Sequence, residues 1–146
     1  MRPNEHGFTL IEMMLSVAII GLLAGLSLPV FLSFQTNNDL SQTTEVVADT
    51  LRRAETYSRA NYGDAQWGVD FASRSVTLFQ GATFSGRNTA FDEPETIPSD
   101  VLVGFSGDII FNKLSGLPAS SASINLTSTG GSSSTLTINN QGMVNY

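Results

Sequence analysis

Apolar residues are arranged in two different ways along this chain. From 13 to 34 it reads MMLSVAIIGLLAGLSLPVFLSF, without a charged side chain. That length is close to the ~20 apolar residues a helix needs to cross a bilayer core, and few soluble helices are apolar on every face for so long. Its Ser and Pro residues fit a membrane helix, where a hydroxyl bonds back to the preceding turn and neighbours cover a kink. After Pro29 the chain turns polar but keeps a helical period. Leu40, Val47, Leu51 and Ala54 recur at spacings of seven, four and three, which makes an amphipathic stripe. Asp39, Glu45, Asp49, Arg52, Arg53 and Glu55 lie mostly off it, and Asp49 with Arg53 forms an acid-then-base i,i+4 pair that supports a helix. Asn61 and Gly63 are stop signals. The pattern predicts one helix over about 9–61, bent at Pro29, whose ring removes an internal hydrogen bond.

From Gly63 the pattern becomes that of strands. Segments 66–71 (QWGVDF) and 75–80 (SVTLFQ) flank Ala72-Ser73-Arg74 as a hairpin. In the second, Val76, Leu78 and Gln80 share one face while Thr77 and Phe79 share the other, so it lacks a clean wet face. Residues 81–99 are expected to form a loop, with Pro94 and Pro98 limiting any strand. Further short strands are expected at 101–105, 108–112, 123–128, 134–139 and 143–146, the last two joined by a tight turn at Asn140-Gln141-Gly142. The fold class is α+β: a long N-terminal helix, membrane-spanning over 8–34 and amphipathic over 35–62, packed on an antiparallel β-domain over 63–146. Trp67, Phe79, Phe84, Phe91, Phe105 and Phe111 are mostly core candidates.

Composition removes several functions. Net charge is −6 with a single Lys, which argues against a phosphate-binding or nucleic-acid surface. There is no Cys, so thiolate metal sites and thiol redox chemistry are excluded. The only His is His6, which leaves the many Ser without a base to activate them and offers no zinc ligand set. No Gly-rich phosphate loop follows a strand. The chain is therefore not expected to be an enzyme or to carry a cofactor or metal. Asp92, Glu93, Glu95 and Asp100 form the densest acidic patch. Without an Asp-x-Asp-x-Asp-Gly pattern they read as a solvated loop rather than a calcium site. Asn125-Leu126-Thr127 is a glycosylation sequon by pattern only.

The start of the chain permits two readings. Arg2 ahead of the apolar run favours a cytoplasmic N-terminus. A cleaved secretory signal would need a shorter apolar stretch and a small-x-small site after it. Ala24 and Ser27 supply that site poorly, and Glu12 stands at the leading edge of the run. The segment Gly7-Phe8-Thr9-Leu10-Ile11-Glu12, followed by the apolar run and Pro29, resembles the N-terminus of type IV pilins and type II secretion pseudopilins. The resemblance implies a leader over 1–7 that a prepilin peptidase removes after Gly7, N-methylation of the new N-terminal Phe8, and a helix that stays with the protein. It implies an assembly role for Glu12, paired with the Phe8 amine of a neighbouring subunit, and a helix kink at Pro29. His6 departs from the family, which usually has Lys or Arg before the Gly. The implied partners are other pilin or pseudopilin subunits, the peptidase and an inner-membrane assembly platform.

A second resemblance covers most of 50–146. The segments RRAETYSRA, WGVDF, SVTLFQG, DEPETIP and TINNQGMVNY are similar to minor pseudopilin H and related minor type IV pilins, which implies two antiparallel sheets packed against the helix. The expectation is thus a structural subunit of an envelope filament. A minor pseudopilin of a type II secretion system is placed first and a type IV pilus subunit second, with Arg52, Arg53 and Arg59 bridging to other subunits. The rival from another class is a membrane-anchored or secreted β-domain that binds a ligand without assembling.

Overall fold

A computed structural model describes residues 7–146, apart from the side chains of residues 26–30. The expected leader lies outside the described residues except for Gly7, and so does the kink expected at Pro29. The chain forms one long helix α1 (Leu10–Arg59), a 3-10 turn (Tyr62–Asp64) and eight strands: β1 (Trp67–Ala72), β2 (Ser75–Gln80), β3 (Asn88–Thr96), β4 (Val101–Val103), β5 (Gly107–Phe111), β6 (Ala122–Ser128), β7 (Ser133–Ile138) and β8 (Val144–Asn145). They divide into two units, Met1–Gln35 and Thr36–Tyr146.

In the first unit, fourteen described large apolar side chains between Phe8 and Phe34 are exposed, on every face of the helix. Among the described residues, no helix is long and apolar enough to cross a membrane. The uncharged stretch 13–34 that motivates a spanning helix includes residues 26–30, which lie outside that description.

In the second unit, residues 36–59 of α1 form one face of the core. Leu40, Val47, Leu51 and Ala54 are buried, as the stripe predicts, and so is Ala48. They share one hydrophobic cluster with Trp67, Val69 and Phe71 of β1, Val76 and Leu78 of β2, Ile109 and Phe111 of β5, and Val101, Ile124, Leu126, Leu136 and Ile138 from the second sheet. Both sheets are antiparallel and four-stranded, in the orders β3-β2-β1-β5 and β4-β6-β7-β8. This is the α+β fold with two small sheets that the sequence implies. The stop signals hold too: Asn61 adopts the left-handed conformation at φ 52°, and Gly63 follows at 66°.

Ser58 locks the helix to the first sheet. Its buried hydroxyl accepts from the Trp67 N–H at 2.9 Å and donates to the Phe111 carbonyl at 3.1 Å. One side chain of the last helical turn thus satisfies backbone groups of two neighbouring strands. The Trp67 indole is almost wholly buried and donates to the Tyr62 carbonyl at 2.9 Å.

Segment 81–99 differs from expectation. It contains β3, a nine-residue strand that includes Pro94. β3 is an edge strand, with Pro94 opposite Thr77 of β2. An edge position asks for no second ladder bond, so the missing proline N–H costs nothing there. The acidic patch is therefore largely strand, not loop. The residues before β3 explain why β2 has no wet face. Phe79 points away from the main core, yet it is fully buried, with the Phe84 ring edge-on at 5.3 Å. Gly68 makes room for it: a Cβ there would stand 2.6 Å from Ile110 Cδ1 and 2.8 Å from Phe79 Cζ. The segment is fastened by the Phe84 N–H donating to Asp108 at 2.9 Å and by Arg87, which stacks on Phe84 at 3.7 Å and pairs with Asp92. Phe91, by contrast with the other aromatic core candidates, is exposed.

The arginines expected to bridge to other subunits each have a contact within the domain. Arg53 pairs with Glu93 rather than with Asp49, Arg59 pairs with Glu55, and Arg52 stands over the Tyr146 ring. A strand delivers a carboxylate to Arg53 across the fold, and that contact replaces the local helical pair.

Two outcomes follow for thermal unfolding of the purified chain. Ser58→Ala leaves the Trp67 N–H buried without its acceptor and lowers stability by ~1–3 kcal/mol. Asp70 lies directly opposite Asp108 across β1 and β5. Burial, then the Asp108 charge, push the Asp70 carboxyl above its ordinary value, with Arg87 pulling the other way. A folded value above the unfolded one means that ionisation costs stability as pH rises through that interval. Asp70→Asn is therefore expected to raise the melting temperature at neutral pH, with the gain vanishing below the ordinary carboxylate range.

Candidate functional site

Gly7, Phe8 and Thr9 precede the helix without regular secondary structure, and all three are exposed. The Gly7–Phe8 peptide bond therefore lies in an open segment immediately before α1, the kind of backbone that a peptidase can engage. A Cβ built on Gly7 meets nothing within 4 Å. Among the described residues, no neighbour requires glycine at this position. Phe8 is 78 % exposed.

α1 starts at Leu10, and Thr9 caps it: the Thr9 Oγ1 accepts from the Glu12 N–H at 3.3 Å. This satisfies one of the amide donors left open at a helix start. Thr9-Leu10-Ile11-Glu12 has the Ser/Thr-x-x-Glu spacing of a capping box. That spacing is legible in the sequence, and it makes Thr9 a site residue beside Gly7, Phe8 and Glu12. One turn on, the Ser16 hydroxyl donates to the Glu12 carbonyl at 2.7 Å.

Glu12 occupies the first turn and is exposed. The helix start favours an anion, because the aligned peptide dipoles leave positive partial charge there. Its carboxylate makes no hydrogen bond or ion pair among the described residues. It lies one helical turn from Phe8 along the chain, on the side where a new N-terminus would appear after cleavage following Gly7. An amine there has an ordinary pKa near 8 and is largely charged at neutral pH. The segment thus offers an accessible Gly7–Phe8 peptide bond, a capped helix start and a carboxylate without a partner among the described residues.

The remaining sequence candidates do not join this segment. The acids Asp92 and Glu93 already face Arg87 and Arg53. Among the described residues, no group of three or more His, Asp or Glu is placed to hold a metal ion.

The family model for the prokaryotic N-terminal methylation motif matches residues 2–28. The chain is 35 % identical over 71 residues to the type IV major pilin protein PilA of Myxococcus xanthus, an alignment that covers 49 % of this chain and 30 % of that protein. It is 30 % identical over 100 residues to a fimbrial protein of Moraxella nonliquefaciens, covering 68 % of this chain and 63 % of the relative. The chain thus spans less than two thirds of each relative's length. No solved structure matches it significantly.

Proposed function

We propose that this chain, a member of the type IV pilin-like superfamily, is a structural subunit of an envelope filament that is cut after Gly7, methylated at Phe8 and assembled through its N-terminal helix. One observation carries the reading: a helix start whose described large apolar residues from Phe8 to Phe34 are left exposed within their unit. Covering a large apolar side chain is worth ~1.5–3 kcal/mol. Fourteen of them amount to on the order of 20–40 kcal/mol, more than the ~5–15 kcal/mol by which a domain is stable. Such a surface calls for lipid before assembly and for other helices after it. Retained in the bacterial inner membrane, the first half of α1 waits in the bilayer with the β-domain outside. In the filament it packs against its counterparts.

Glu12 acquires its role in that setting. A carboxylate within hydrocarbon costs roughly 2.5–3.5 kcal/mol or more. The Phe8 amine of an adjoining subunit offsets that cost only when the two helices are in register, so the pair both rewards assembly and sets axial position. N-methylation keeps the nitrogen basic. The prepilin peptidase and an inner-membrane platform are the partners this cycle needs, and catalysis by the chain itself is not part of it.

Two apparatuses use subunits of this design. The named relatives favour a type IV pilus, whereas the likeness of the β-domain to minor pseudopilin H favours a type II secretion system. Loss of surface fibres on deleting the gene supports the first, and loss of secreted proteins with fibres intact supports the second.

Mass spectrometry of the protein isolated from its membrane is expected to show a chain that begins with N-methylated Phe8. A mature end beyond Ala24, or retention of Met1, overturns the proposal. Gly7→Val is expected to accumulate uncut precursor. Glu12→Val is expected to be cut and to remain in the membrane, but to enter filaments poorly in a pull-down or by imaging. Normal incorporation of Glu12→Val sinks the pairing role.

A further inference from the structure

β2 ends at Gln80 and β3 begins at Asn88, and these two residues face each other in the ladder. The segment 81–87 between them therefore leaves the sheet and returns to it at one point. A Cβ on Gly81 would stand 2.9 Å from the Arg87 Cα, so the two ends of the segment almost touch. A loop of this length with clasped ends is a compact surface unit. Lifting its middle disturbs no strand pairing.

One ring and two polar anchors hold that middle down. Phe84 covers Phe79 edge-on, beside the space left by Gly68. The Phe84 N–H donates to the exposed Asp108 carboxylate at 2.9 Å. Arg87 braces the segment from within. Its Nη1 donates to the Phe84 carbonyl at 2.8 Å, its guanidinium lies over the Phe84 ring, and its Nε donates to Asp92 at 2.8 Å. Asp92 belongs to β3, so this pair ties the segment to the sheet. The Arg87 and Asp92 side chains are only 24 % and 18 % exposed. Their anchor is therefore less screened than the one at Asp108, and the stronger of the two.

That anchor is incompletely satisfied. Asp92 Oδ1 is buried without a hydrogen-bond partner among the described residues, and such a group stores strain. The charged groups around the segment are Asp70 of β1, Asp108 of β5, Asp92 of β3 and its own Arg87, whereas β2 presents Phe79 and Gln80. Breaking a largely buried ion pair leaves the surviving charge uncompensated. With Asp92 neutral, Arg87 regains hydration by moving outward, and Phe84 moves with it. We propose that residues 81–87 are a charge-latched strap, which lifts off Phe79 as a unit when the Asp92 carboxylate is neutralised and bares the outer face of the first sheet while the domain stays folded. Burial, then the Asp108 charge, hold the Asp70 carboxyl above its ordinary value, with Arg87 opposing. Protonation of Asp70 removes a like charge opposite Asp108 and leaves both anchors in place, so release waits for Asp92.

NMR of the full chain in detergent tests this, independently of cleavage and assembly. Amide exchange at Phe84 is followed together with the nuclear Overhauser contact between the Phe79 and Phe84 rings. Asp92→Asn alters neither ring. Relative to wild type it is expected to speed Phe84 exchange by about ten-fold or more and to abolish the ring contact, with exchange at Val69 of β1 unchanged. Arg87→Gln is expected to act alike, and the double variant to add nothing, since both break one anchor. In the wild-type chain, acid is expected to abolish the ring contact as the Asp92 carboxyl carbon signal reports its protonation. An unchanged Phe84 amide and ring contact in Asp92→Asn overturn the inference, because ring packing then suffices. So does a ring contact that persists once Asp92 is protonated, or further loosening in the double variant. Equal acceleration at Val69 overturns it too, because the strap then opens only with the whole domain.

Discussion

The surface of α1 changes character along its length, and the rest of the β-domain depends on the stripe that follows the change. Within the first unit, the described large apolar side chains from Phe8 to Phe34 are exposed. From Leu40 onward the apolar residues narrow to one stripe, and both sheets close over it. Hydrophobic burial is non-directional, so it attaches the helix without fixing its axial position. Ser58 supplies direction, because one hydroxyl satisfies backbone groups of two strands at once.

The first sheet must bury both faces, and this shapes its surroundings. The inner face meets the helix. On the outer face Phe79 needs cover, which the stretch between β2 and β3 provides through Phe84. A side chain on Gly68 would occupy the space of Phe79 and Ile110. The cover is held by polar groups, Asp108 on the Phe84 amide and Arg87 between Phe84 and Asp92. That arrangement places Asp70 and Asp108 opposite each other, and the like charges oppose the sheet that carries them.

The helical stripe, its stop at Asn61 and Gly63, and the strand pattern were legible because each depends on local period and backbone chemistry. The second sheet shows it well: Ile124, Leu126, Leu136 and Ile138 turn inward while Asn125, Thr135 and Thr137 turn out. β3 was not legible, because the effect of Pro94 depends on whether its strand lies at an edge, and sheet order is not written in a local window. The partner of Arg53 was missed for a related reason: Glu93 is 40 residues away, and only the fold brings it near. In the N-terminal segment, Gly7, Phe8 and Glu12 stood out by their motif, whereas Thr9 was passed over although its spacing to Glu12 is that of a cap.

Gly7 stands in open space, and that separates two kinds of selection. A core position such as Gly68 answers to its neighbours, so changing it tests the fold. At Gly7 no described neighbour stands within reach of an added side chain, so a change there leaves the described packing untouched. Under the proposed cleavage the junction is a portable tag: grafted ahead of another capped apolar helix, Gly7 makes no contact that the described residues downstream have to accommodate.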